Sequence, residues 1–549
     1  MDMFCYQCEQ TAHQTGCTTL GVCGKTPETA GLQDVIVFLC KQIATYTSKC
    51  RRLNVTDISL DSMILKMLFV TLTNVNFDSD EHVEYIKKLQ EGLNTAKRTY
   101  VSACKRNEIE PQMSTFLPEW NGSTKLADLF ELAAKLRITQ RMKEEDPSLV
   151  GLEELLTYGL KGLAAYSHHA YLLGYWDERI FAYISEALEY LGQEAHDKEM
   201  LFSLVIRCGE ANFIAMELLD KAHTSTFGHP EPTNVRITPV EGKCILVSGH
   251  DLESLREVLV QTQNQNINVY THGELLPANS YPGLKKFKHL VGNYGGAWQN
   301  QNVEFAEFPG SILLTTNCLK PPLDSYKDRL FTIDTVGFSD VKKIKDYDFT
   351  PLINSAKKEE GFKTTEPEKT ILIGFGRNAV MSVADKVIDA VKSKAVRHIF
   401  LIGGCDGAEL NRNYYTHLAE EVPQDCLILT LGCGKFRFNK EEFSQIGGLP
   451  RMLDMGQCND AYSAIKVASA LAEVFEVGIN DLPLSIVLSW FEQKAVAVLL
   501  TLLYLGVENI RIGPNLPAFI GPELLNELVV KFKLKPIGTP SEDLVEMLA

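Results

Sequence analysis

Apolar positions divide the chain into a first part with helical spacing and a second part with short, strand-like runs. From Thr26 to about Ala222 apolar residues recur three and four apart, as in Leu32, Val35, Ile36, Phe38 and Leu39. Thr26-Pro27-Glu28 reads as a helix start, with Thr26 as N-cap and Pro27 at the first helical position, where its missing N–H is no loss. Further helices are predicted over 59–74, 80–105, 124–144, 150–173 and 198–221, and together they make an all-helical domain of bundles. Residues 223–242, with Pro230, Pro232, Pro239, Gly228 and Gly242, read as a linker. Beyond it, short apolar strands alternate with helical segments, the signature of a parallel α/β sheet. A second break at Lys357-Lys358-Glu359-Glu360-Gly361 precedes Pro367, and the pattern resumes with Ile371-Leu372-Ile373. The expected fold class is α + α/β, with a helical-bundle domain over 1–222 and parallel α/β domains over 223–365 and 366–549.

One grammar recurs through the second half: a strand, a turn, then a side chain able to bind metal. The apolar run Ile399 to Ile402 ends in Gly403-Gly404 and presents Cys405 at the strand's carboxyl end, where α/β sheets place ligands. Ile245 to Ser248 precedes His250, and Ile267 to Tyr270 precedes Glu274. Ile312 to Thr315 precedes Cys318, Leu427 to Thr430 precedes Cys433, and Ile486 to Ser489 precedes Glu492. Cys458 reads instead as a turn residue with no clear strand before it. Taken singly, each residue could be a surface acid or histidine, or a small buried thiol; together they are seven donors that can converge on one site. A cubane with one protein ligand per iron needs four donors, so seven require an opened cluster with some irons held by harder N and O ligands. Lys494 lies two residues after Glu492 and is either a surface lysine or a proton source beside the site.

At 549 residues two to four domains are expected. The formal charge of −16 opposes binding to a phosphate backbone, so nucleic acid is not an expected partner. No uninterrupted apolar run reaches the roughly 20 residues a bilayer span needs, and the start lacks a secretory signal, so a cytoplasmic protein with no membrane partner is expected. Fourteen cysteines in such a chain point to metal or redox chemistry more than to disulfides. Cys40, Cys50, Cys104, Cys208, Cys244 and Cys426 fall in apolar or helical patterns and read as inert buried thiols. Cys5-x2-Cys8-x8-Cys17-x5-Cys23 gathers four thiols that one metal centre can take; the spacing leaves zinc and a four-iron cluster both open, with iron–sulfur ahead.

Two further motifs compete for attention. Gly374-Phe375-Gly376-Arg377-Asn378-Ala379 matches a dinucleotide fingerprint, but lacks the acidic residue at the end of the next strand, and a tight turn explains its glycines equally well. His168 and His169, adjacent on a predicted helix, diverge by roughly 100° and cannot both face one metal, so packing or surface roles are expected.

Phe4-Cys5-Tyr6-Gln7-Cys8-Glu9-Gln10-Thr11, Gly21-Val22-Cys23-Gly24-Lys25-Thr26-Pro27, Ser248-Gly249-His250-Asp251-Leu252, Thr271-His272-Gly273-Glu274, Thr316-Asn317-Cys318, Gly403-Gly404-Cys405-Asp406 and Trp490-Phe491-Glu492-Gln493-Lys494 resemble the hybrid cluster protein family, also called hydroxylamine reductases. The resemblance runs from Cys5 to Lys494. It implies a [4Fe-4S] cluster on Cys5, Cys8, Cys17 and Cys23, as in the four-iron subgroup. It also implies a hybrid [4Fe-2O-2S] cluster on His250, Glu274, Cys318, Cys405, Cys433, Cys458 and Glu492, with a persulfide at the cysteine matching Cys405. The implied fold is a helical domain with two Rossmann-like domains, similar to carbon monoxide dehydrogenase. The implied activity is two-electron reduction of hydroxylamine to ammonia and water, fed by an electron donor protein. Glu492, Lys494, His250 and Glu274 are candidates for proton delivery or tuning in that reaction. Nitric oxide reduction, a non-catalytic electron carrier or nitrosative-stress sensor, and carbon monoxide oxidation, this last by analogy of fold alone, stand as alternatives.

Overall fold

The computed structural model describes residues 2–549 apart from 384–390, 394 and 447. The first part is helical: α1 (Pro27–Arg51), α2 (Ile58–Val70), α3 (Ser79–Arg106), α4 (Leu126–Leu136), α5 (Ile138–Glu144), α6 (Pro147–Leu172), α7 (Glu178–Leu191) and α8 (Lys198–Phe227). Thr26 caps α1 as expected, its side chain accepting from Thr29 N at 3.2 Å with Pro27 next in line. Aspartates begin α2, α3, α6, α7 and α8 in the same way, through Asp57, Asp78, Asp146, Asp177 and Asp197.

Three expectations need correction here. The helix expected over 124–144 breaks at Arg137, whose extended backbone (φ −57°, ψ 131°) separates α4 from α5. Helix α7 was not expected, although Ile180, Phe181, Ile184, Leu188 and Leu191 carry its spacing and are buried. Helix α8 continues to Phe227, into the stretch read as a linker, and stops at Gly228, whose φ of 84° suits glycine.

Two six-stranded, all-parallel sheets follow. The first has the order β4-β3-β2-β5-β6-β7, with β2 (Lys243–Ser248), β3 (Ile267–His272), β4 (Leu290–Asn293), β5 (Ser311–Leu314), β6 (Leu330–Ile333) and β7 (Lys342–Ile344). In the second the order is β13-β10-β9-β14-β15-β16, built on β9 (His398–Gly404), β10 (Cys426–Thr430), β13 (Met452–Asp454), β14 (Leu484–Ser489), β15 (Arg511–Gly513) and β16 (Lys535–Pro536). Alternate residues of each strand enter different cores, because side chains alternate across a sheet. Ile245 and Val247 pack on one side of the first sheet and Leu246 on the other. Phe400 and Ile402 face one core of the second sheet, Ile399 and Leu401 the other. Burying both faces explains why these strands are near-continuous apolar runs.

Two strand expectations change. Cys458 does have a strand before it, the three-residue β13, which pairs parallel to β10 from Ile428 opposite Met452 to Thr430 opposite Asp454. It escaped notice because it is short and ends in a charged residue. Ile371 to Ile373 lies in β8 (Thr370–Ile373), which joins neither six-stranded sheet; it pairs antiparallel with β1 (Thr233–Arg236). The Gly374 turn after β8 therefore lacks the parallel βαβ context that a dinucleotide fingerprint requires.

The Gln493–Tyr504 helix, which follows β14, locks this α/β part to the bundle. Gly162 of α6 and Gly209 of α8 let its backbone come close, since a Cβ at either glycine would collide with the carbonyl of Gln493 or Leu500. No helix among the described residues is long and apolar enough to cross a membrane.

Candidate metal centres

Four thiols meet at the amino end. Cys5 and Cys17 pair across a two-residue antiparallel bridge, Cys5 N donating to Cys17 O at 3.1 Å and Cys17 N to Cys5 O at 2.8 Å. Thr11 closes the turn behind Cys8, its hydroxyl donating to Cys8 O at 2.7 Å. Burial, reinforced by the other three thiols, pushes the Cys8 thiol well above its usual range; burial also raises Cys23. Lys25 lies buried beside them, and although burial opposes its charge, the neighbouring thiols and Asp34 hold it above the ordinary lysine range. All four cysteines are free of disulfides. Desolvated thiols crowded around a buried cation are the arrangement a thiolate-bound metal centre needs.

The second site forms where the carboxyl ends of the two parallel sheets meet the bundle. Register puts several donors at one level: Ser248 pairs with His272 and Leu314 in the first sheet, Ser489 with Gly404 in the second. Gly404 (φ 110°) runs so close to Ser489 that a Cβ there would collide with its carbonyl, which brings the turn bearing Cys405 against the turn bearing Glu492. One ligand atom each from His250, Glu274 and Cys458 lies within 4.8 Å of the others. Cys458 N donates to Glu274 Oε2 at 2.8 Å, and the Gln457 amide donates to the carbonyls of Glu274 (2.7 Å) and His250 (2.9 Å), so one turn joins the two sheets' ligands. Cys318, Cys405 and Cys433 lie together against Trp298 and Phe491. Asn317 Nδ2 reaches Glu492 Oε1 at 3.3 Å and Cys318 Sγ at 3.6 Å. The structure thus brings all seven expected donors to one site.

Lys494 stands at the middle of this set. Its Nζ is 2.9 Å from His250 Nε2, 2.8 Å from Asn317 Oδ1 and 3.7 Å from Glu492 Oε1. An ammonium can only donate, so Nε2 of His250 accepts and Nδ1 carries the proton, donated to Thr316 Oγ1 at 2.7 Å. That is the tautomer that turns Nε2 toward a metal. Burial opposes the Lys494 charge, but Cys458, Glu492, Cys318 and Cys405 around it hold it protonated. The surface reading of Lys494 is therefore overturned: the residue is 1 % exposed.

Burial dominates every other group here. It pushes Glu274 and Glu492 up against the pull of Lys435 and Lys494, raises Cys318, Cys405 and Cys433, and lifts Cys458 to about 12. His250 is held neutral by burial and by the Lys494 charge. Glu274 Oε1 is buried with no partner among the described residues. Such an oxygen costs roughly 1–3 kcal/mol unless something binds it. The mixed S, N and O donors with an orphaned carboxylate oxygen fit an iron centre with both soft and hard ligands.

Sequence reasoning missed several residues of this site. Asn317, Lys435 and Gln457 stand within two positions of an expected donor, which was their only signal. Lys435 forms a buried ion pair with Asp454 at 2.5 Å and donates to Gly456 O at 2.7 Å. Tyr166 of α6, whose hydroxyl lies beside Cys458, and Arg412, which donates to Ser489 Oγ at 2.6 Å, carried no local signal.

The model of the Prismane/CO dehydrogenase family matches residues 3–545. A hydroxylamine reductase of Syntrophobacter fumaroxidans is 49% identical over 546 residues, covering 100% of both chains. One from Geobacter metallireducens is 50% identical over 546 residues, covering 99% of each. Among solved structures, carbon monoxide dehydrogenase IV from Carboxydothermus hydrogenoformans is similar in fold at 14% identity, with a TM-score of 0.57, covering 99% of this chain and 92% of that one.

Proposed function

The chain belongs to the Prismane/CO dehydrogenase family, and from that premise we propose that it is a cytoplasmic iron–sulfur oxidoreductase reducing hydroxylamine to ammonia and water. The relatives named hydroxylamine reductase support this along the whole chain. The observation that carries it is the gathering of His250, Glu274 and Cys458 within 4.8 Å of one another, with Lys494 Nζ 2.9 Å from His250 Nε2.

Cys5, Cys8, Cys17 and Cys23 would hold a [4Fe-4S] cluster, and His250, Glu274, Cys318, Cys405, Cys433, Cys458 and Glu492 a hybrid [4Fe-2O-2S] cluster. When bound, the second centre would supply electrons and a Lewis-acidic iron that polarises the substrate's N–O bond. The protein's own part is positional. Lys494 offers a proton at Nζ, held in place by Asn317 Oδ1, and Glu492 is pinned by Lys494 N at 2.8 Å and Asn317 Nδ2. Trp298 and Phe491, with ring centroids 4.6 Å apart, pack against Cys318, Cys405 and Cys433. An electron donor protein would reduce the amino-terminal centre.

The test is metal and sulfide content of protein purified without oxygen, followed by turnover with a chemical reductant. About eight irons per chain with little zinc, and ammonia released from hydroxylamine, are expected. Zinc in place of iron in the second site would overturn the proposal, and no turnover by iron-loaded protein would overturn it in favour of a carrier or sensor. One observation favours nitric oxide as a second reading: an apolar cavity of about 60 Å³, lined by Cys405 and Cys458 among Leu401, Leu431, Ile465 and Ile486, suits a neutral diatomic molecule. A far higher kcat/KM for nitric oxide than for hydroxylamine would make it the substrate.

A further inference from the structure

Helix α6 carries a histidine pair that the chemistry above leaves idle. His168 and His169 are both buried, at 4 % and 6 % exposure, so a surface role is excluded. They diverge as adjacent helical residues must. His168 Nε2 is 2.7 Å from Asp334 Oδ2, and Asp334 Oδ1 accepts from Lys66 Nζ at 2.7 Å. Lys66 is 32% exposed and Asp334 18%, so this end meets solvent. His169 diverges from His168, onto the helix face that Tyr166 occupies one turn earlier. Burial first, and then the charge of Lys494, hold its pKa well below the ordinary histidine range. Tyr166, three residues earlier, sets its hydroxyl beside Cys458. Both imidazoles stand edge-on to Phe69, with their own centroids 6.5 Å apart.

Three nitrogens of this pair, His168 Nδ1 and both of His169, are buried with no partner among the described residues, and so is Nδ1 of nearby His223. Each unpaired buried polar group costs about 1–3 kcal/mol, and ordered water is what would relieve that cost at four nitrogens in one region. From this placement we infer that Asp334, His168 and His169, joined by water at the unpartnered imidazole nitrogens, form the route by which protons travel from the surface to the site beside Lys494.

The inference rests on the hydroxylamine reading, because that reaction consumes protons at a buried site: NH2OH takes two electrons and two protons, the N–O bond breaks, one proton joins nitrogen and the other leaves with oxygen as water. The electrons come from the donor, the protons from solvent. Burial, with the charge of Lys494 behind it, keeps His169 neutral. A neutral imidazole passes a proton by accepting at one nitrogen and releasing from the other, without trapping it.

Iron-loaded His169→Phe protein, which keeps a ring but no nitrogen, tests the route beside Asp334→Asn at its outer end. Iron content and the spectra of both reduced centres should match wild type, while kcat falls by about tenfold or more and its solvent deuterium isotope effect rises. A crystal structure of the loaded protein should hold water within hydrogen-bond reach of His168 Nδ1 and the His169 nitrogens. Wild-type kcat and isotope effect in both variants, or dry imidazoles in the crystal, would overturn the route. Absence of turnover in wild type itself would instead overturn the hydroxylamine reading, and the crystal waters would still decide the route.

Discussion

Arg412 Nη2 donates to Glu9 Oε2 at 2.8 Å, and neither side chain is exposed at all. The same guanidinium donates to Trp490 O and Ser489 Oγ, while Glu9 N donates to Phe491 O at 2.9 Å. One buried ion pair thus fastens the turn after Cys8 to the turn before Glu492, so the two candidate centres share a rigid support. Removing one partner of a buried pair costs about 3–5 kcal/mol, because the other charge is left unpaired. Arg412→Met should therefore lower the thermal midpoint markedly, and Glu9→Gln combined with it should lose much less than the sum. Additive losses in that double-mutant cycle would show the two residues to be energetically independent.

The two centres should be separable by substitution. Cys8→Ser should remove the amino-terminal centre and Cys458→Ser the other, each leaving about half of the wild-type iron. Iron analysis with electron paramagnetic resonance of the reduced protein checks this. Full iron in either variant would mean that the substituted cysteine is not a ligand.

Asn317 holds Lys494 through Oδ1 at 2.8 Å and Glu492 through Nδ2 at 3.3 Å. Asn317→Ala should keep the iron but lower kcat/KM for hydroxylamine by roughly 10- to 100-fold, since a proton donor free to swing loses its alignment. Unchanged steady-state kinetics in the iron-replete variant would remove Asn317 from the positioning of Lys494.

His82 makes part of the stability depend on pH. Its Nδ1 donates to Asp78 O at 2.6 Å, and its Nε2 accepts from Gln33 at 3.3 Å. Burial, opposed by the Asp78 carbonyl, lowers its pKa to about 4. The unfolded chain takes up a proton below about pH 6.5 and the folded one does not until about 4. The contribution is therefore full above pH 6.5 and is lost as pH falls toward 4, by about 3 kcal/mol across the window. Urea midpoints at pH 7 and 4.5 should differ less in His82→Gln than in wild type. Identical pH dependence would refute the assignment.

How much of this was legible can be read residue by residue. Thr26-Pro27 announced its cap because capping is local chemistry. The strand before Cys405 announced itself because a strand buried on both faces must be apolar throughout. Six of the seven donors followed such strands, and the seventh, Cys458, hid behind a strand of three residues ending in Asp454. His168 and His169 were visible as a pair, but not as buried groups lacking partners, because burial depends on what packs against α6.

The sequence by itself determined the helical and parallel α/β halves, the four thiols at the amino end and the recurring donors at strand ends. Periodicity and spacing are properties of neighbours along the chain. Tertiary structure alone decided that Lys494 lies buried among those donors, that Lys435 pairs with Asp454, and that Arg412 reaches Glu9 across 403 positions. An ionised side chain is dictated by no local pattern; it is tolerated in the interior only where the fold delivers an opposite charge or a hydrogen-bond partner from a distant segment.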